Sequence, residues 1–252
     1  MDANAIIAVL GDAVDSVAAA LGRLDDWGLA GTRPGQYRSD IAADLVAVEV
    51  LVGAGFSVLS EESGLTEGPL GSLLAVIDPL DGSTNASRGI PWFATSICVL
   101  DDDGPLAAIV ANQSNGTLYT AVRGEGATRS GLPIVPSECT DLDRAVVGLS
   151  GYPARHLGWK QYRALGAVAL DMCAVADGTL DGYVDCSRDA HGGWDYLGAV
   201  LVCQEAGAAV GERYDRDLIV RSHSDRRDPV AAGTPELLAA LLGAAGAAGA
   251  AL

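Results

Sequence analysis

The densest polar constellation in the chain is Asp78-Pro79-Leu80-Asp81-Gly82-Ser83-Thr84-Asn85, directly after the apolar run 73–77. Proline pushes its predecessor toward extended geometry, so no helix passes through Asp78; the reading is of a strand that stops there and a chain that turns. Asp78 and Asp81 on such a turn can converge on one point, and Gly82 lets the backbone approach it closely. Ser83, Thr84 and Asn85 are good helix-start residues, and free N–H groups at a helix start suit a phosphate oxygen. In isolation the segment also reads as a plain surface turn. A second acidic cluster, Glu61-Glu62-Ser63-Gly64, follows another apolar run, 56–60. Adjacent strands that deliver carboxylates from matching ends make a hard-oxygen cation site, the ligand chemistry of Mg²⁺. The third element is Gly193-Trp194-Asp195, which opens an apolar stretch over 196–206. An Asp at a helix start is ordinarily an N-cap, and capping is compatible with metal ligation only if one carboxylate oxygen stays free.

Elements must carry these groups. Ile6, Leu10, Val14, Val17, Leu21 and Leu24 recur at steps of three and four, which predicts a helix ending near Asp25. A second helix opens at Asp40 or Asp44 and stops at Gly53-Ala54-Gly55. Strands are predicted over 56–60, 73–77, 95–100, 107–111 and 117–122, with turn signals between them that suggest antiparallel hairpins. From Arg144 the texture alternates: strand 145–149, helix 161–176, strand 182–184, helix 194–206, strand 218–221 and helix 235–242. Strand-rich followed by mixed segments implies helices packed on sheets in layers. Residues 243–252 are Ala/Gly low complexity and read as frayed helix or disordered tail.

Composition limits the function classes. With 49% apolar and 19% charged residues, the 252-residue chain can bury a large core, and disorder is excluded as its overall class. Its length suits one compact unit, residues 1–252, with approximate halves 1–140 and 141–252. Sixteen basic against 33 acidic residues leave a net charge of −17, a poor match to nucleic acid or an anionic membrane. An anionic substrate would therefore need a cation, and a metal is the obvious supplier. Cys98, Cys139, Cys173, Cys186 and Cys203 form neither a CxxC zinc motif nor a dense disulfide framework, which suits a reducing cytoplasm. Residues 2–10 lack a basic leader segment, and no apolar run is read as approaching the roughly twenty residues of a membrane span. P-loop, zincin and nucleophile-elbow motifs are missing from the sequence.

Glu61-Glu62-Ser63, the Asp78 to Asn85 segment, and Trp194-Asp195 followed by Glu205-Ala206-Gly207 resemble, in order and approximate spacing, the three signatures of the inositol monophosphatase family. Weaker similarity at 118–127 and 163–181 fills the gaps, so the resemblance runs from about residue 40 to residue 207. It implies that Glu61, Asp78 and the backbone carbonyl of Leu80 hold a first Mg²⁺, that Asp78, Asp81 and Asp195 hold a second, and that Glu61 shares a looser third. Carboxylates this close could not all stay ionised without cations, and their titrations would be coupled. The implied mechanism is in-line attack of a metal-activated water on a phosphate monoester, with Glu61 and Asp81 among the catalytic groups. Gly82, Ser83 and Thr84 would contact the phosphoryl group and Asp195 the substrate.

In the family a Thr hydroxyl paired with an upstream Asp orients the nucleophile. Ser83 stands there, keeping the hydroxyl without the methyl that restricts its rotamer. The upstream motif is shortened to Asp40-Ile41-Ala42-Ala43-Asp44; Asp44 is the first choice and Asp40 the alternative. Arg33 or Arg38 replaces a family lysine, or nothing does. Asp185 falls where members place a Glu that touches sugar hydroxyls, and the following loop, 186–193, is longer than usual by about three residues, enough to reshape the alcohol pocket. His191 in that loop reads either as a substrate contact or, more ordinarily, as an exposed histidine, and His156 and His223 receive no role.

The resemblance implies an α/β (α+β) fold, a layered αβαβα sandwich of the inositol monophosphatase/fructose-1,6-bisphosphatase type, in a lithium-sensitive homodimer. The function it implies is a Mg²⁺-dependent phosphatase of a small polyol or sugar phosphate, with inositol 1-phosphate the default substrate. Fructose 1,6-bisphosphate, histidinol phosphate and 3′-phosphoadenosine 5′-phosphate are the alternatives, the last of them short of basic residues for its second phosphate. A non-catalytic metal-stabilised scaffold is the reading of another class. Against it stands the complete set Glu61, Asp78, Asp81, Ser83 and Asp195.

Overall fold

A computed structural model describes residues 1–69 and 71–249, with side chains to residue 246. Helices α1 (Ala3–Leu21) and α2 (Arg38–Gly53) come first. The predicted period puts Ile6, Leu10, Val14, Val17 and Leu21 in the core, where they meet Ala43, Ala47 and Leu51 of α2. At 19 residues and mean hydropathy 1.6, α1 is long and apolar enough to cross a membrane by length and composition, which corrects the expectation that no such run exists. In the fold its apolar stripe packs against α2 and a sheet. Asp40 Oδ2 accepts the Tyr37 N–H at 2.8 Å, a capping contact that starts α2 at Arg38, ahead of the predicted Asp40 or Asp44.

The first sheet holds β1 (Ser57–Ser60), β2 (Gly64–Thr66), β3 (Leu74–Asp81), β4 (Ala94–Asp101), β5 (Gly104–Asn112), β6 (Leu118–Val122), β7 (Gly126–Arg129) and β8 (Leu132–Pro133). The spatial order is β2-β1-β3-β4-β5-β6-β7-β8, antiparallel except for the β1–β3 pair. Helix α3 (Ser83–Ser87) follows β3. The second sheet, in the order β10-β9-β11-β13-β12, is built from β9 (Val146–Ser150), β10 (Gln161–Arg163), β11 (Gly182–Asp185), β12 (Ala209–Glu212) and β13 (Pro229–Ala232). Its helices are α4 (Val168–Ala176), α5 (Gly193–Ala206) and α6 (Pro235–Gly249).

Period-two alternation decides what each sheet face touches. Ala75 and Ile77 of β3 join the core beneath α1 and α2, whereas Val76 joins Met172, Cys173, Leu197 and Leu201 of α4 and α5 on the other face. Val147, Val184 and Val230 meet Leu237 and Leu241 of α6. The layers are therefore α1/α2, first sheet, α4/α5, second sheet and α6, the expected αβαβα sandwich.

Three local expectations are corrected. Strand β3 does not stop before Asp78; it continues to Asp81 with a register shift against β4 between those two residues. Proline enforces extended geometry on its predecessor and withholds one ladder N–H, and a bulge satisfies both without a reversal. The predicted helix over 161–176 is split into β10 and α4, with Gly166 at φ +87° between them. Residues 218–221 form no strand, and the sheet instead uses β12 and β13, the latter opening on Pro229, a strand position that tolerates proline. Helix α6 absorbs residues 243–249 of the expected tail, and 250–252 lie outside the described residues.

Candidate active site

The bulge in β3 aims its carboxylates toward the end of β1. Asp78 Oδ1 accepts the Leu80 N–H at 2.8 Å, which fixes the turned backbone, and the Glu61 N–H donates to Ile77 O at 3.2 Å, extending the parallel ladder by one rung. Asp195 arrives from the first turn of α5. It is not the N-cap, which is Gly192; Asp195 sits three residues on and its Oδ2 accepts the Gly192 N–H at 2.7 Å. One oxygen each from Glu61, Asp78 and Asp195 lies within 4.8 Å of the others. Asp81 stands beside this group, buried, with Oδ2 accepting the Ala169 N–H at 2.8 Å.

The electrostatics of the group are unfavourable as they stand. Burial, then repulsion from Asp195 and Glu62, pushes Glu61 up to about 8. Burial and neighbouring carboxylates raise Asp78 and Asp81 well above the ordinary range. Among the described residues no arginine, lysine or histidine forms an ion pair with Glu61, Asp78 or Asp81. Four clustered carboxylates, of which only Asp195 has a basic neighbour in His191, are hard oxygen donors in excess of positive charge and fit a divalent cation of the Mg²⁺ kind.

A cavity of about 360 Å³ opens at Glu61, lined also by Asp40, Glu62, Ser83 and Trp194, with Arg33 and Arg226 on its wall. Gly82 adopts φ +83° at the start of α3, and a Cβ there would lie 3.0 Å from Trp92 O and 3.1 Å from Gly166 O, so glycine is required. Thr84 is exposed, its Oγ1 3.4 Å from the Tyr37 hydroxyl, and it does not line the cavity. The upstream acid beside Ser83 is Asp40. Burial pushes Asp40 up to about 6 while the Ser83 hydroxyl favours its charge, and its Oδ1 is buried without an aligned partner. Asp44, the first choice from sequence, instead accepts from the Ser60 and Ser63 hydroxyls. Arg33 pairs with Glu62 at the cavity, whereas Arg38 pairs with Asp26 away from it.

A sequence profile of the inositol monophosphatase family matches residues 50–248. The chain belongs to the inositol monophosphatase family. Fructose-1,6-bisphosphatase of Pyrococcus furiosus is 31% identical over 80% of this chain and 80% of its own. Fructose-1,6-bisphosphatase/inositol-1-monophosphatase of Methanothermobacter thermautotrophicus is 34% identical over 79% of each. A solved structure from Pyrococcus horikoshii, a protein with similarities to inositol-1 monophosphatase, superposes with TM-score 0.87 at 25% identity, covering 96% of this chain and 99% of that one. The protein is a phosphoric monoester hydrolase of this family.

Two parts of this family member's site were not legible in the sequence. His223 lines the cavity, with Nε2 3.0 Å from Glu61 O and its ring 4.7 Å from that of Trp194; Arg226 stacks over Trp194 at 5.0 Å. Both come from the β12–β13 connection, which carries no motif. His191 is not an exposed loop histidine: its ring lies between Asp185 and Asp195, and these acids outweigh the downward pull of burial and hold it up at about 9. Asp185, read from the sequence as a contact for sugar hydroxyls, is fully buried behind it and does not line the cavity.

Proposed function

We propose that the chain hydrolyses a small polyol or sugar phosphate monoester with Mg²⁺ held by Glu61, Asp78, the Leu80 carbonyl, Asp81 and Asp195. The observation that carries this reading is the gathering of Glu61, Asp78 and Asp195 oxygens within 4.8 Å, where among the described residues only Asp195 has a basic neighbour, His191 at 3.6 Å from its Oδ2. Bound there, divalent cations supply the charge that activates a water and steadies the departing oxygen of the ester. Ser83 and Asp40 orient the attacking water from the cavity side, Asp40 taking the role first expected of Asp44. The Gly82 and Ser83 N–H groups, at the start of α3 where no side chain caps the helix, hold phosphoryl oxygens as charge redistributes. Arg226 adds positive charge on the cavity wall, where Arg33 is paired with Glu62, and this favours a phosphate-bearing substrate over a neutral one.

Inositol 1-phosphate is the leading substrate. Fructose 1,6-bisphosphate is the second, favoured by the names of the two relatives above. Cytoplasmic location, a homodimeric state and lithium sensitivity extend the same reading. The test is phosphate release from inositol 1-phosphate, fructose 1,6-bisphosphate, histidinol phosphate and 3′-phosphoadenosine 5′-phosphate, with and without Mg²⁺. One ester should stand out and need the metal; equal, weak turnover of all four would remove the single-substrate reading, and metal-independent turnover would remove the metal-site reading.

A further inference from the structure

Behind Asp195 stand two side chains, His191 and then Asp185. His191 Nδ1 lies 3.6 Å from Asp195 Oδ2, and its Nε2 lies 3.3 Å from Asp185 Oδ2. Asp185 is 0% exposed and its other oxygen is engaged by the Ser187 N–H at 2.8 Å. Asp185 Oδ2 and His191 Nε2 are both buried without an aligned hydrogen bond, so the contact between them is what remains to satisfy both.

The loop that carries the histidine is anchored. The Arg227 N–H donates to His191 O at 2.8 Å, and the Asp189 N–H donates to Asp228 Oδ1 at 2.9 Å. Arg216 clasps Asp189, Glu212 and Asp228 together. These bonds fix the backbone that carries the histidine, and its ring lies between Asp185 and Asp195.

We propose that His191 is a positioning residue for Asp195. Held from behind by Asp185, its ring joins the Gly192 N–H in fixing Asp195 Oδ2, so that the other oxygen of Asp195 turns toward Glu61 and Asp78. The carboxylate that the family resemblance assigns to substrate hydroxyls serves here to orient a metal-side acid through histidine. This rests on the metal-site reading of the preceding subsection. Groups one contact removed from a metal ligand hold its geometry, and their loss characteristically weakens metal affinity by about 10–100-fold.

The experiment uses the full chain and Mn²⁺ as probe, followed by electron paramagnetic resonance without substrate. Wild type and Asp78→Asn come first: binding by the former and its loss in the latter establishes the metal site independently of His191. His191→Phe and Asp185→Asn should then weaken Mn²⁺ binding about tenfold or more and lower kcat with little change in KM. His191→Gln, which keeps a donor, should recover most of the affinity. Metal-free melting temperatures identify folded variants. Wild-type Mn²⁺ affinity in a folded His191→Phe or Asp185→Asn overturns the proposal, and so does a raised KM at unchanged affinity, which would make these residues substrate contacts. A wild-type chain that binds no Mn²⁺ overturns the site reading and the proposal together.

Discussion

The Ala169 N–H donates to Asp81 Oδ2 across 2.8 Å, joining residues 88 positions apart. Helix α4 has Ala167 at its N-cap, a side chain that cannot accept a hydrogen bond, so Asp81 caps the helix from β3. A carboxylate of the site is thereby held by a helix of the second half of the chain. Burial and Asp195 still keep its pKa high, outweighing the favourable contact with Ala169.

Asp81→Asn keeps an oxygen for the Ala169 N–H and removes the charge. The melting temperature should change little, while phosphate release falls on the order of a hundredfold or more. Unchanged hydrolysis in the folded variant would refute Asp81 as a metal-side group.

Asp40→Asn retains an acceptor for the Tyr37 N–H but loses the charge beside Ser83, so kcat should drop at least about tenfold with KM nearly constant. Asp44→Ala removes the acceptor shared by Ser60 and Ser63 and should cost about 1 kcal/mol of stability with most of kcat kept. A larger kcat loss at Asp44 than at Asp40 reverses the assignment.

Metal-free stability should fall as pH rises. Glu61 keeps its proton in the folded state up to about 8, whereas its ordinary value is 4.5, so the folded chain binds more protons between those values. Its contribution is full below 4.5 and lost as pH climbs through about 8. Melting curves without metal should show this slope, and saturating Mg²⁺ should flatten it because the ion competes with the protons. A Glu61→Gln variant with the wild-type slope would remove Glu61 as its source.

Gly82→Ala combines a left-handed backbone with a Cβ 3.0 Å from Trp92 O. It should cost about 1–3 kcal/mol in urea unfolding and lower kcat by displacing Ser83. Gly116→Ala, at φ +75° with open space around it, provides the comparison for backbone strain alone. Equal losses at both positions would show that close packing at Gly82 contributes nothing.

Much of the fold was legible because it rests on local periodicity. The stripe from Ile6 to Leu21 and the short, almost wholly buried runs of β4 and β5 follow from which side chains avoid water, whatever they pack against. What failed did so where long-range pairing overrides local preference. β13 sits between β11 and β12 although it begins with Pro229, and β3 runs through Asp78-Pro79 because β4 accepts a bulge there.

For the site, the sequence by itself determined which acids exist and that three acidic segments follow a family's order; Glu61, Asp78, Asp81 and Asp195 were readable from residue type and spacing. Only the tertiary structure decided that Asp40 rather than Asp44 faces Ser83, that Asp185 lies behind His191, and that His223 and Arg226 reach the cavity. The reason is physical. A motif reports chemistry that neighbours in the chain can supply, whereas those positions depend on how helices and loops from distant segments pack, and a single helical turn between Asp40 and Asp44 changes which carboxylate meets the cavity.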